Sequence, residues 1–263
     1  MKMRESRVLK KLRAGKVATC VKLNLLDPRV AEIAAMSGFD CLWIDMEHVP
    51  TDYATVENMV RAAKIYDTDV LTRVARGPYS NMTVPLEADS TGIMVPHLMS
   101  LEEAKQIVYY TKFHPIGRRP IDGGNADGKY CLVDGNDYIK QANEQRFVIV
   151  QIEDPEPMKD LEALCELPGY DILFFGPGDF SHAIGHATNI MHEDVIAARK
   201  KIAETARKYG KALGTVCVGD PRILIDEGFQ YLNIGGDVRA LTGFYKSARE
   251  NFEAILDELN MDY

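Results

Sequence analysis

Asp171-Ile172-Leu173-Phe174-Phe175-Gly176-Pro177-Gly178-Asp179 is the stretch on which the fold turns. Ile172 to Phe175 form an unbroken apolar run, the pattern of a strand buried on both faces in a parallel sheet. The run stops at Gly-Pro-Gly, where the backbone turns sharply and can approach a ligand closely. The backbone N–H groups of Gly178 and Asp179 then open a short helical turn and offer a cradle to a carboxylate or phosphate. Asp179, at the mouth of a buried strand, is placed to ligate a metal; the plainer reading is a turn cap.

The motif gains force from its upstream counterpart, Phe147-Val148-Ile149-Val150-Gln151-Ile152-Glu153, a second apolar strand ending in a carboxylate. The same cadence repeats along the chain. Strands are expected at 16–21, 39–45, 70–73, 92–95, 147–153, 172–175, 212–216 and 231–234. Helix signals fall between them: Asp27-Pro28 and Asp220-Pro221 as Asp N-caps with Pro at the first helical position, and Ser100-Leu101-Glu102-Glu103 as a capping box. Eight such alternations predict an α/β chain folded as a closed (β/α)8 TIM barrel, one domain over residues 1–263. Val8, Leu9 and Leu12 fit a short amphipathic N-terminal helix plugging one end. Polar residues gather after several strands: Asp45 and His48, Arg73, Glu153 and Asp179. A barrel brings those strand ends to one face, whereas an open sheet would put its site at a single switch point.

Composition narrows the function. A net charge of −8 argues against a nucleic-acid or anionic-membrane surface. No run is long enough to span a bilayer, and no glycine-rich nucleotide fingerprint occurs. The 5 cysteines include no CxxC, so zinc and disulfide frameworks are disfavoured and a reduced, cytoplasmic protein is expected. The polar, glycine-rich segment 117–128 is too long for a plain connection, and reads as a site lid or a subunit contact.

Glu153 and Asp179 offer oxygen ligands alone, which suits Mg²⁺ or Mn²⁺, with Co²⁺ as a further candidate. Such an ion acts as a Lewis acid toward a 2-oxo acid, stabilising the enolate left by deprotonation or carbon–carbon cleavage. Arg73 can share the developing charge, and His48 can move a proton, its tautomer held by Asp45 or Glu47. The plainer alternatives are a surface ion pair for Arg73 and a helix cap for His48.

Trp43-Ile44-Asp45-Met46-Glu47-His48, Arg73, Gln151-Ile152-Glu153, Phe175-Gly176-Pro177-Gly178-Asp179, Gly92-Ile93-Met94-Val95-Pro96 and Gly235-Gly236-Asp237 together resemble the HpcH/HpaI aldolases. The resemblance implies a class II, metal-dependent pyruvate aldolase. Glu153 and Asp179 would then be the metal ligands, His48 the base with Asp45 behind it, and Arg73 the enolate stabiliser. Gln151 and the Gly176, Gly178 and Asp179 backbone would contact the pyruvate moiety. It further implies a homohexamer built from dimers with exchanged C-terminal helices, and makes Lys22 a loop or oligomer contact rather than a Schiff-base lysine. The expected partners are a small 2-oxo acid and an aldehyde.

The leading expectation is thus reversible cleavage of a 2-keto-4-hydroxy acid to pyruvate and an aldehyde. The same enolate chemistry serves oxaloacetate decarboxylation or a citrate-lyase-β-type CoA-ester lyase, the latter needing a basic groove for which Arg118-Arg119 is the one cluster. A catalytically idle oligomeric paralogue is the reading from another class.

Overall fold

The computed structural model describes residues 1–261. Its eight strands are β1 (Ala18–Leu23), β2 (Cys41–Asp45), β3 (Asp69–Arg73), β4 (Gly92–Val95), β5 (Phe147–Ile152), β6 (Ile172–Phe175), β7 (Ala212–Val216) and β8 (Tyr231–Gly236). All pair in parallel, in sequence order, and β8 closes on β1, so the barrel expected from the sequence is what forms. The helices are α1 (Arg7–Arg13), α2 (Pro28–Met36), α3 (Tyr53–Lys64), α4 (Ser80–Glu87), α5 (Leu101–Thr111), α6 (Gly135–Gln145), α7 (Leu161–Glu166), α8 (Pro177–Ala183), α9 (Glu193–Lys208), α10 (Pro221–Glu227) and α11 (Asp237–Glu258). The anticipated caps are made: Asp27 and Asp220 accept from the N–H groups of Arg29 and Arg222, and Ser100 from that of Glu103.

Every second strand residue points inward. Ala18, Cys20, Cys41, Trp43, Leu71, Met94, Phe147, Ile149, Ile172, Phe174 and Tyr231 make one buried cluster, the filling of the barrel. Glycines make room for its rings: a Cβ on Gly92 would lie 2.2 Å from Phe147, and one on Gly214 would lie 2.7 Å from Phe174. The alternate residues, such as Val148, Val150, Leu173 and Leu213, face the helices in a second cluster. Val8 and Leu9 of α1, with Leu12 against them, join the inner cluster and seal the N-terminal end, as anticipated.

That base is tied by charge. Asp69 accepts from Ser6 Oγ (2.7 Å), Val8 N–H (2.9 Å) and Arg4 Nη2 (2.5 Å). Asp40 meets Lys11 Nζ at 2.7 Å and accepts from Thr19 N–H at 2.8 Å.

The 117–134 segment is not a lid over this chain's own site, which corrects one of the two expectations for it. It joins α5 to α6 and lies against the base. Asp127 N–H donates to Glu87 O, Lys129 Nζ sits 3.0 Å from Asp89, and buried Arg119 pairs with buried Asp127 at 2.8 Å beside the Tyr138 hydroxyl. The reason is topological: a helix-to-strand connection returns the chain to the N-terminal ends of the strands, away from the face where α/β barrels keep their chemistry.

Helix α11 breaks the pattern of the others. It buries no residue, and Val238, Leu241, Phe244, Tyr245, Phe252 and Ile255 are exposed along it. No described helix is long and apolar enough to cross a membrane.

Candidate active site

The inward series continues past the apolar filling. Two residues beyond Cys20, Trp43, Leu71 and Ile149 come Lys22, Asp45, Arg73 and Gln151, and Glu153 follows directly on β5. Inward-facing polar side chains therefore crown the C-terminal end of the barrel.

Arg73 is the anchor of this layer. Asp45 and Arg73 are register partners on adjacent strands, and Asp45 grips the guanidinium from two sides: Nε donates to Oδ1 at 3.0 Å and Nη2 to Oδ2 at 2.6 Å. Arg73 Cζ also lies 4.9 Å from the Trp43 ring centroid, so the guanidinium rests on a hydrophobic shelf. Lys22 Nζ meets Asp45 Oδ2 at 2.7 Å. Burial works to raise the Asp45 pKa, but Arg73 and then Lys22 outweigh it and hold the carboxyl well below the usual carboxylate range.

Two expectations change here. Lys22 is not a peripheral loop residue: β1 starts and ends two residues later than the sequence suggested, and the pleat turns Lys22 inward. Asp45 does not stand behind His48, because its carboxylate is committed to Arg73, Lys22 and the Glu47 N–H (3.0 Å). His48 is exposed, with Nε2 3.6 Å from Glu47 Oε2, so Glu47 is its nearest carboxylate partner.

On the other side of Arg73 the balance of charge reverses. Arg73 Nη1 lies 2.9 Å from Glu47 Oε2; the contact is an ion pair, but its angle leaves that oxygen without a hydrogen bond. Glu153, 1% exposed, accepts from the His97 N–H (2.9 Å) and the Gln151 side-chain amide (2.5 Å). Gln151 Oε1 is buried with no partner. Burial pushes the Glu153 carboxyl up to about 7 against the His97 N–H and ring, with Glu47 adding to the rise. Burial also opposes charge on the His97 ring, yet Asp154, at 2.8 Å from Nδ1, and then Glu153 and Glu47 draw its pKa upward.

Glu47, His97 and Glu153 have ligand atoms within 4.8 Å of one another. The sequence pairs Glu47 with His48, or makes it the holder of a water that acts as base, and gives no role to His97. A weaker signal for His97 existed, since it follows β4 by two residues and so falls at the end of the barrel where the other polar residues gather. Asp179 is not in that group: it stands exposed in the first turn of α8, one residue after Gly178. Gly176 admits no side chain, because a Cβ there would lie 2.7 Å from Gln151 Nε2 and 2.8 Å from Glu153 Oε2.

These residues fit a divalent cation. Buried Glu153 and half-buried Glu47 face one shared guanidinium edge and an amide oxygen that nothing satisfies, so the cluster is rich in oxygen donors and short of positive charge.

Known proteins place the chain in a family. The family model for HpcH/HpaI aldolase/citrate lyase matches residues 20–242. The chain is 30% identical over 239 residues to a hydroxypyruvate/pyruvate aldolase of Pseudomonas aeruginosa, covering 90% of this chain and 88% of that one. It is 28% identical to a 2-keto-3-deoxy-L-rhamnonate aldolase of Salmonella gallinarum, covering 93% and 92%. Among solved structures, an HpcH/HpaI aldolase from Desulfitobacterium hafniense superposes with a TM-score of 0.88 at 26% identity, covering 93% of this chain and 95% of that chain. Barrel, crowned strand ends and matching relatives lead to one conclusion: this chain belongs to the HpcH/HpaI aldolase/citrate lyase family.

Proposed function

We propose that the protein is a class II aldolase that reversibly cleaves a 2-keto-4-hydroxy acid to pyruvate and an aldehyde. One observation carries this reading: a buried, under-neutralised oxygen set (Glu153, Glu47 and Gln151 Oε1) lies beside an arginine fixed by a bidentate carboxylate. Glu153 and Asp179 are assigned as ligands of Mg²⁺ or Mn²⁺, with Glu47 and His97 near enough to complete or orient the set. When bound, the cation supplies Lewis-acid polarisation of the keto group. Arg73 holds its charge toward the oxygen that becomes negative when the carbon–carbon bond breaks, and Asp45 prevents its reorientation during that change. His48 takes the proton of the 4-hydroxyl group as the bond between carbons 3 and 4 breaks and the aldehyde forms, and carbon 3 of the enolate then receives that proton to give pyruvate; synthesis runs the same transfers in reverse. Gln151, Gly176 and Gly178 receive the pyruvate moiety, and the missing Cβ of Gly176 lets Gln151 and Glu153 pack against its backbone.

The CoA-ester alternative loses its basic groove. Arg118 and Arg119 are on the base of the barrel, and Arg119 is buried against Asp127. The apolar face of α11, exposed among the described residues, supports a homo-oligomer in which that helix packs on a second copy, in a homohexamer built from such dimers. We take residues 1–263 as one barrel domain, and the 5 free cysteines fit a cytoplasmic setting.

Release of pyruvate from a panel of 2-keto-4-hydroxy acids, before and after chelation, tests the assignment. Metal-dependent release is expected. Undiminished release from metal-stripped protein, or borohydride trapping of pyruvate on Lys22, would overturn it.

A further inference from the structure

Outside the active site, the segment 186–194 on the C-terminal rim brings two imidazoles and a carboxylate together. It comprises the loop after α8 and the first turn of α9. His186 Nε2 lies 3.0 Å from Asp194 Oδ2, His192 Nδ1 lies 3.5 Å from the same oxygen, and the three residues offer ligand atoms within 4.8 Å of one another. The His186 and His192 rings are stacked with centroids 3.4 Å apart.

Helix capping accounts for only part of this. His192 is the N-cap of α9, its ring nitrogen accepting from the Asp194 N–H at 3.3 Å. A cap needs no second imidazole, yet His186 is carried to the same carboxylate oxygen by a loop with its own hydrogen bonds. His186 N–H donates to Ser181 O (2.7 Å), Asn189 N–H to His186 O (2.9 Å) and His192 N–H to Asn189 O (3.0 Å). Two stacked imidazoles cannot both be protonated without repulsion. One divalent ion, by contrast, draws on both ring lone pairs and on the carboxylate charge.

We propose that His186, His192 and Asp194 form a second metal site, selective for a borderline ion of the Zn²⁺, Co²⁺ or Ni²⁺ class. Two nitrogens and one carboxylate give three protein ligands and leave a position for water. Mg²⁺ disfavours such nitrogen donors, so the site is chemically distinct from the oxygen-rich pocket at Glu153. The partly exposed rings must swing out of their stack to present lone pairs in plane, a rotation open to side chains on a loop. Loading would clamp the chain that runs from α8, the helix bearing Asp179, into α9.

The probe is Co²⁺ titrated into full-length, metal-stripped Glu153→Gln protein, followed by calorimetry and by visible absorption. One equivalent with the spectrum of nitrogen-ligated, low-coordinate Co²⁺ is expected, undisturbed by excess Mg²⁺. Adding His186→Ala should weaken that binding by about a hundredfold or more, beyond the usual cost of losing an outer-shell partner. Wild-type protein saturated with Mg²⁺ should take up the same equivalent, which makes the result independent of how Glu153→Gln folds. His186→Ala alone should keep its Mg²⁺-supported turnover. No nitrogen-ligated equivalent in either protein, or equal binding after His186→Ala, would overturn the site, whatever the fate of the aldolase assignment.

Discussion

The two ends of this barrel handle buried carboxylates in opposite ways. At the base, Asp69 collects a guanidinium, a hydroxyl and a backbone N–H, Asp40 collects Lys11 and Thr19, and Asp89 is met by Lys64, Lys129 and Arg146. At the crown, Asp45 alone is so served, while Glu47 and Glu153 are left with an edge of Arg73, the His97 N–H and an amide. The difference teaches that burial of acid groups is not itself a sign of chemistry here. Saturated carboxylates lock the chain; undersupplied ones leave oxygen atoms with charge to share.

The contrast can be broken most decisively by removing the cation. Chelation, or Glu153→Ala, should reduce aldol cleavage to background while the circular dichroism spectrum is unchanged, and added Mg²⁺ or Mn²⁺ should rescue the chelated wild type only. Activity that survives both treatments would make the crown another structural network. Next in size is Arg73→Ala, expected to lower kcat by roughly 10²–10³, the scale for one preorganised electrostatic contact. Arg73→Lys should rescue poorly, because a single ammonium cannot reproduce the two-point grip of Asp45.

Acidity sharpens the same comparison. Glu153 titrates near 7, above its ordinary value, because burial favours the neutral form. In metal-free protein the folded state therefore holds a proton that the unfolded chain has lost, and this group's contribution to stability falls as pH rises from the usual Glu range toward 7. Metal binding releases that proton, so affinity measured by calorimetry should fall by about tenfold per pH unit below 7 and level off above it. A flat profile between pH 5.5 and 8 would show that Glu153 is not the ligand. The smallest catalytic effect belongs to the base: Asp69→Ala should leave kcat/KM unchanged but cost about 2–3 kcal/mol in denaturant unfolding, the scale for hydrogen bonds to a charged group. A parallel loss of kcat would mean that the two ends are coupled.

Much of this was legible in the sequence, and the misses have physical causes. Apolar runs ending in Asp45, Arg73 and Glu153 announced both the barrel and its crown, because inward pleating and chain direction settle where such residues go. Lys22 was misjudged since β1 was expected to end at Val21, which left the lysine just outside a strand that in fact runs to Leu23 and carries it inward. His97 was passed over because it lies beyond Pro96, outside any strand pattern, at a positive φ of 50°. The side of the barrel on which 117–134 falls could have been read from chain order: it follows a helix and leads to a strand. What no pattern encodes is who grips whom, as in the choice of Asp45 for Arg73 over His48.

The pairing of Asp45 with Arg73 is also a statement about assembly. The two residues face each other only because β2 and β3 meet in one register, Cys41 opposite Asp69 through Asp45 opposite Arg73. A slip of one residue would turn one of the pair out toward the helices and leave a buried charge alone. The clamp thus proofreads strand alignment: misregistered barrels are penalised by the same contact that readies the arginine, and the functional crown exists only on a correctly closed ring.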